Sequence, residues 1–166
     1  MSQKVVFTED ECDKIIAFSK TYEKHSSSEW WYGDNTKYDA WHLLRNQETE
    51  WIFKKLFDHI KNETEFTIVN EIDVVHLHNL KLGNRFELHI DKNSDFNVGA
   101  CLNDDYDGGE LVYYNPEYSL PKIKGEIYTF YGNREHEVKK VTRGERWSLI
   151  GFFKKGTIKN KNIELI

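Results

Sequence analysis

The spacing of apolar residues changes near residue 66, and this change constrains the fold more than any other feature of the sequence. Before it, apolar residues recur every three or four positions, as on one face of a helix. After it, apolar and polar residues alternate in short runs, as in strands that bury one face. We therefore expect one domain over 1–166, with a helical part over about 1–65 and a β core over about 66–155.

Two amphipathic helices are predicted in the N-terminal part. Thr8 can serve as the N-cap and Glu11 as the N3 residue of a capping box, so the first helix should cover about 8–21. The second helix should cover about 48–60, where the apolar residues have helical spacing.

An aromatic segment separates the two predicted helices. Residues 26–39 have the composition of an irregular loop and carry Trp30, Trp31 and Tyr32, with Trp41 just beyond them. These rings either anchor the core or cover a bound substrate, and the sequence leaves both possibilities open.

The second part is predicted to contain short strands separated by turns. The strand candidates are 66–69, 72–78, 85–91, 97–102, 110–114, 127–131, 136–140 and 146–153. Short strands at this spacing are typical of antiparallel sandwiches and jelly rolls. With the helices packed on one sheet, the expected class is α+β.

Composition restricts the possible partners and location. The formal net charge of -5 argues against a broad nucleic-acid-binding surface. No apolar run reaches the roughly 20 residues of a membrane span, and the first residues lack the apolar stretch of a signal peptide. We therefore expect a cytoplasmic protein, and the abundant asparagine and lysine would suit a phage protein made in a host cytosol. Cys12 and Cys101 are predicted to be reduced thiols.

The sequence His89-Ile90-Asp91 is the strongest chemical signal. Residues two apart on a strand point to the same face, so the imidazole and the carboxylate can bind one ion. His136 is the best candidate for a third ligand, since two histidines and one carboxylate form the facial triad of non-haem Fe(II) oxygenases. Taken alone, the motif also fits an ordinary strand histidine beside a solvated aspartate.

The surrounding sequence resembles a known family. The motif Gly83-x-x-Phe86-x-x-His89-x-Asp91 is followed by Leu102-Asn103-Asp104-Asp105-Tyr106-Asp107-Gly108-Gly109-Glu110-Leu111, by His136-x-Val138 and by Gly144-x-Arg146-Trp147-Ser148. In this order and spacing, residues 80–153 resemble the Fe(II)- and 2-oxoglutarate-dependent oxygenases of the prolyl 4-hydroxylase type.

The resemblance implies a fold, a metal site and a co-substrate site. The implied fold is a double-stranded β-helix, a cupin-like jelly roll, with His89, Asp91 and His136 as catalytic metal ligands. Arg146, ten residues after His136, would bind the distal carboxylate of 2-oxoglutarate, and Ser148 could add a hydroxyl donor.

One position departs from the family pattern. The family often has a tyrosine three residues before the glycine that matches Gly83, where its hydroxyl helps hold 2-oxoglutarate, and this chain has Leu80 there. His78 is a candidate to replace that contact, as are Tyr128 and Thr129.

A hairpin between His136 and Ser148 would support the co-substrate assignment. If 142–144 form a three-residue loop with Gly144 in the left-handed region, then Lys140 lies opposite Arg146 and His136 opposite Ile150. His136, Arg146 and Ser148 would then share one face of a sheet.

The expected activity is hydroxylation of a C–H bond coupled to conversion of 2-oxoglutarate to succinate and CO2. The required cofactors would be Fe(II), 2-oxoglutarate and O2, with ascorbate as a candidate reductant. The favoured substrate is a prolyl residue in a peptide or protein. The alternatives are another side chain, a free amino acid or a small metabolite, and, in another class, a non-catalytic cupin-like module that only binds metal.

Overall fold

The computed structural model describes residues 3–26, 38–64 and 72–155. The helices are α1 (Glu9–Ala17), which continues as a 3-10 turn (Phe18–Lys20), and α2 (Glu50–Glu63). The strands are β1 (Gln3–Val5), β2 (Lys24–Ser26), β3 (Asp39–Leu44), β4 (Val74–Leu80), β5 (Phe86–His89), β6 (Phe96–Cys101), β7 (Asp107–Gly108), β8 (Leu111–Tyr113), β9 (Tyr118–Ser119), β10 (Glu126–Tyr131), β11 (His136–Val138), β12 (Val141–Arg143) and β13 (Arg146–Phe153).

The strands form two main sheets. A seven-stranded sheet has the order β1-β10-β6-β13-β4-β3-β2, a four-stranded sheet has the order β5-β11-β8-β9, and β12 pairs with β7. Along the chain, β4, β6, β10 and β13 join the large sheet, while β5, β8, β9 and β11 join the small one. This alternation is the predicted double-stranded β-helix, and the α+β class is confirmed.

The helices pack on the outer face of the large sheet. Their apolar residues, Cys12, Ile15, Ile52, Phe53, Leu56 and Ile60, join the outward side chains of the sheet in one buried cluster. Because side chains alternate along a strand, the other face points toward the small sheet. On β13, Leu149 and Phe153 belong to the helix side, whereas Arg146 and Ser148 point into the space between the sheets.

The capping box of α1 is present as predicted. Glu11 N donates to Thr8 Oγ1 (3.2 Å), and Thr8 N donates to the Glu11 carboxylate (2.9 Å). Acidic residues in the first turn also suit the positive end of the helix dipole.

The N-terminal part contains more β structure than expected. β1, β2 and β3 all join the large sheet, with β3 paired along β4. These strands were missed because strands of three to six residues carry little periodicity of their own. Their conformation depends on pairing with distant parts of the chain.

Trp41 belongs to the core. It is 6% exposed, lies on the helix side of β3 and stacks on Trp147 with ring centroids 5.4 Å apart. The sequence allowed Trp41 either to anchor the core or to cover a bound substrate, and the structure places it in the core. Trp30, Trp31, Tyr32 and the strand predicted over 66–69 lie outside the described residues.

The predicted hairpin register is wrong. β13 lies between β4 and β6, so Arg146 is opposite Leu80 and not Lys140. β11 lies between β5 and β8, so His136 is opposite His89 and not Ile150. Gly144 does adopt a positive φ of 71°. However, β12 before it pairs with β7 and β13 after it joins the large sheet, so the two strands do not form a hairpin with each other.

Helices suited to crossing a membrane are absent from the three described ranges.

We predict that Trp41→Ala lowers the free energy of unfolding by about 3–5 kcal/mol, because it removes a large buried ring and leaves a cavity. Chemical denaturation of the purified variant measures this loss. A change below about 1 kcal/mol would contradict the placement of Trp41 in the core.

Candidate active site

Three potential metal ligands meet between the two sheets. His89 ends β5, Asp91 follows two residues later, and His136 begins β11 directly opposite His89. His89 Nε2 lies 3.5 Å from Asp91 Oδ1, and His136 Nε2 lies 3.4 Å from Asp91 Oδ2. Ligands at right angles about 2.1 Å from an ion would be roughly 3 Å apart, so the spacing suits one ion.

Backbone carbonyl groups orient both imidazoles. His89 Nδ1 lies 2.6 Å from the carbonyl oxygen of Glu87, and His136 Nδ1 lies 2.8 Å from that of Arg134. A carbonyl only accepts hydrogen bonds, so each Nδ1 carries the hydrogen and each Nε2 can present its lone pair to an ion. Such second-sphere contacts are typical of metal-binding histidines.

Asp91 is held in place as a carboxylate. Asn97 Nδ2 donates to Asp91 Oδ2 at 2.6 Å, and Asp91 N donates to the carbonyl of Gly132 at 2.7 Å. Burial alone would raise the pKa of Asp91, but when both Nε2 atoms carry protons, hydrogen bonds from His136 and His89 outweigh burial and hold the pKa of Asp91 well below its usual range.

These groups fit a divalent cation. Two imidazole lone pairs and a carboxylate are all acceptors, so their convergence is favourable only with a cation or added protons among them. Within the described residues, this is the one cluster of three or more such side chains whose ligand atoms come this close together. Three protein ligands would leave coordination positions of such a cation open for further ligands.

Arg146 is a buried cation in the same cavity. It is 4% exposed, and its Nη1 donates to Ser148 Oγ at 2.9 Å. Its other close polar neighbours are the phenols of Tyr106 and Tyr128. No ion pair found in the described ranges includes Arg146, and a buried charge without a counter-ion is unfavourable unless an anion binds.

Glycine makes room for one of these phenols. An added Cβ at Gly99 would lie 2.4–2.5 Å from the ring of Tyr128, so the ring lies directly on the backbone of β6. Burial raises the pKa of Tyr128, while Arg146 acts in the opposite direction.

One cavity of about 890 Å³ joins the metal-binding cluster to Arg146. Its apolar wall includes Leu111, Phe130 and Val138, all buried, and the partly exposed Leu88 and Ile90 lie at its mouth. The cavity is large enough for a co-substrate and part of a substrate.

Three residues were candidates to replace the tyrosine that the family often has at the position of Leu80. Two of them, His78 and Tyr128, line this cavity. His78 lies opposite Ser148 on β4, against the rings of Tyr38 and Phe86, and Tyr128 lies beside Arg146. Thr129 points to the helix side, where its hydroxyl bonds His59 Nε2 at 3.1 Å. Thr129 is therefore excluded.

The sequence did not reveal a row of histidines leading out of the cavity. His78, His76, His42 and His25 lie on one face of the large sheet, with successive ring centroids 5.9, 4.4 and 4.7 Å apart. Burial lowers the pKa of His76 to about 4, with His42 and His25 contributing, and it also lowers the pKa of His42 and His78. The pairing of β2, β3 and β4, which creates the row, has no local signal.

Family comparison agrees with this geometry. Residues 75–154 match the family model described as the 2OG-Fe(II) oxygenase superfamily. The match covers 80 of the 166 residues, and this segment is similar to the 2OG-Fe(II) oxygenase superfamily. The resemblance recognised in the sequence is confirmed, and the matched family implies Fe(II) as the cofactor and 2-oxoglutarate and O2 as co-substrates of a dioxygenase. Comparison with curated proteins gives no match.

Solved structures share the fold of this chain. A Pseudomonas putida prolyl-4-hydroxylase has a TM-score of 0.71 at 18% identity, over 94% of this chain and 92% of that chain. A Trichoplax adhaerens prolyl hydroxylase, in complex with a hypoxia inducible factor oxygen degradation domain peptide fragment, has a TM-score of 0.73 at 12% identity, over 93% and 83%. A viral collagen prolyl hydroxylase from Paramecium Bursaria Chlorella virus-1, in complex with 2OG, has a TM-score of 0.69 at 14% identity, over 94% and 96%.

We predict that the protein loses stability as the pH falls from about 6.5 to about 4. In this window the unfolded chain takes up a proton at His76 but the folded chain does not, so protonation favours unfolding. His76 should contribute at most about 3 kcal/mol to this loss.

The measurement is the free energy of unfolding at several pH values for wild type and His76→Gln. The variant should show a shallower dependence on pH in this window. Identical slopes would contradict the lowered pKa of His76.

Proposed function

We propose that this oxygenase hydroxylates a C–H bond of a prolyl residue in a peptide or protein, with release of succinate and CO2. In this proposal His89, Asp91 and His136 bind Fe(II), and Arg146 and Ser148 bind the distal carboxylate of 2-oxoglutarate. The observation that carries it is the pairing, in one cavity, of a three-ligand cluster with a buried arginine that lacks a carboxylate partner among the described residues.

The bound iron would supply the redox chemistry with O2, and the protein would supply orientation and a dry cavity. The carbonyls of Glu87 and Arg134 fix the two imidazoles, and Asn97 fixes Asp91. These contacts keep the ligand atoms in place before an ion binds, which limits the reorganisation that binding requires.

The co-substrate end of the cavity is built for an anion. Arg146 can offer two parallel N–H groups to a carboxylate, and Ser148 Oγ lies beside it as a further partner. We propose that His78, kept neutral by burial, borders the co-substrate from the neighbouring strand.

The prolyl substrate is supported by the fold neighbours and by the shape of the cavity. All three neighbours described above carry the name prolyl hydroxylase, and one was solved with a peptide fragment. Leu88 and Ile90 place apolar surface at the mouth, where an extended peptide could lie. Another side chain, a free amino acid or a small metabolite is the alternative substrate. Ascorbate as reductant and a cytoplasmic location stay predictions.

A non-catalytic metal-binding module is the alternative of another class. Such a module needs the three ligands but has no use for a buried, unpaired arginine in the same cavity. Purified protein supplied with Fe(II), 2-oxoglutarate and O2 should release succinate faster than the same mixture does without protein. Absence of succinate, with metal bound, would favour the module.

The substrate class is tested with a library of synthetic peptides. We expect proline-containing peptides to stimulate succinate release and to gain 16 mass units on the proline. Stimulation by peptides in which alanine replaces proline would instead indicate another side chain as the target.

We predict that Asp91→Ala and His136→Ala each abolish succinate release and weaken Fe(II) binding. Fe(II) lies low in the affinity order of divalent metals, so the loss of one of three ligands should empty the site. Asp73→Ala, which removes an exposed carboxylate far from the cavity, is the control. Near-normal turnover by either ligand variant would exclude the proposed triad.

We predict that Arg146→Ala raises the 2-oxoglutarate concentration needed for half-maximal turnover roughly ten- to a hundredfold, with little change in metal affinity. The reason is the loss of a charge-assisted contact worth about 1.5–3 kcal/mol. The control is Arg143→Ala, since Arg143 is exposed and paired with Asp107. Equal saturation curves for wild type and Arg146→Ala would show that another cation binds the carboxylate.

A further inference from the structure

The side chain of Tyr128 extends across the large sheet toward β13. Tyr128 on β10 is opposite Gly99 on β6, and Gly99 is opposite Ile150 on β13. A Cβ added at Gly99 would lie 2.4 Å from Cζ of Tyr128 and 2.5 Å from its hydroxyl oxygen. The hydroxyl group therefore lies over β6, one strand spacing of roughly 4.8 Å from β13. Any larger residue at position 99 would occupy the place of the phenol.

Tyr128 lines the cavity, as do Arg146 and Ser148. Along the cavity wall, the rings of Phe130 and Tyr128 follow the ring of His136, with successive centroids 5.0 and 6.2 Å apart. Tyr128 is thus separated from the metal-binding cluster by one aromatic ring. A ligand bound to this cluster at one end and to Arg146 at the other would pass along these rings.

Arg146 orients two hydroxyl groups in this part of the cavity. A guanidinium group only donates hydrogen bonds, and that of Arg146 donates to Ser148 Oγ at 2.9 Å and also contacts the phenol of Tyr128. An oxygen that accepts from Arg146 must direct its own hydrogen elsewhere. Burial raises the pKa of Tyr128, so its phenol keeps that hydrogen at neutral pH.

These hydroxyl hydrogens have no acceptor in the protein ranges that the structure describes. The hydrogen bonds found there include none in which Ser148 Oγ or the Tyr128 phenol is the donor. A guanidinium and two hydroxyl groups therefore present donors to the same end of the cavity. An anion with several acceptor sites, such as a carboxylate, suits all three.

Tyr128 approaches Arg146 from the side opposite to Leu80, the position where the family often has tyrosine. Leu80 is opposite Arg146 on β4 and is 0% exposed. Since β13 lies between β4 and β6, Tyr128 reaches it across β6 from the other side. His78, the other remaining candidate, also lies on β4, and its ring contacts two aromatic rings there.

We propose that the Tyr128 hydroxyl donates a hydrogen bond to the distal carboxylate of 2-oxoglutarate, beside Arg146 and Ser148. It would supply from β10 the contact that Leu80 does not provide on β4. Gly99 would then belong to the co-substrate site by leaving space for the phenol. This inference rests on the proposed function, which identifies the dicarboxylate.

The test compares Tyr128→Phe with wild type and with Tyr131→Phe, a change at an exposed tyrosine of the same strand. Calorimetric titration into Mn(II)-loaded protein measures binding without turnover. We expect Tyr128→Phe to bind 2-oxoglutarate about tenfold or more weakly, because one hydrogen bond to a charged group is lost. Its affinity for Mn(II) should be unchanged, and Tyr131→Phe should bind 2-oxoglutarate as wild type does.

A second ligand separates the contact from a general disturbance of the site. In 2-oxopentanoate a methyl group replaces the distal carboxylate, so this ligand has nothing to accept from Tyr128. Wild type and Tyr128→Phe should bind it equally.

A double variant separates a direct contact from an effect through Arg146. If the hydroxyl contacts the carboxylate itself, adding Tyr128→Phe to Arg146→Ala should weaken 2-oxoglutarate binding further. If it only holds Arg146 in place, the second change should have no effect.

Three results would overturn the inference while the proposed function stands. They are equal 2-oxoglutarate affinity for wild type and Tyr128→Phe, weaker binding of Mn(II) or 2-oxopentanoate by Tyr128→Phe, and no further loss in the double variant. Failure of the Mn(II)-loaded wild type to bind 2-oxoglutarate would instead overturn the proposed function.

Discussion

The large sheet is buried on both faces, and the rest of the structure depends on how differently the two faces are covered. The helices cover one face mainly with apolar side chains, and this packing provides the hydrophobic stabilisation. The other face carries Arg146, Ser148 and the histidines into the cavity. Buried polar groups cost stability, so the apolar face must offset the active-site face.

The electrostatics of the cavity follow from its two ends. Asp91 is an anion between two imidazoles, and Arg146 is a cation beside phenols and a serine. Asp91 and Arg146 do not pair with each other, and both line the cavity. A metal cation and a dicarboxylate would satisfy both charges, whereas neither alone would.

Sequence reasoning succeeded where the signal was local. The spacing of His89 and Asp91, the capping box at Thr8 and the turn at Gly144 are each encoded within a few residues. Features that depend on pairing between distant strands were missed or wrong. Lys140 was placed opposite Arg146 because adjacent strands were assumed to pair, whereas β13 pairs with strands far away in the sequence. The histidine row has the same origin, since His42 and His76 meet through the register of β3 and β4.

The division of the site between the sheets has a mechanical consequence. His89 and His136 belong to the small sheet and Arg146 to the large one, and these two sheets share no strand among the described residues. Under the proposed function, 2-oxoglutarate would tie the two sheets together, whereas the metal alone would bind only one of them. The separation of the sheets, and with it the width of the mouth near Leu88 and Ile90, would then be set by the co-substrate before any substrate arrives.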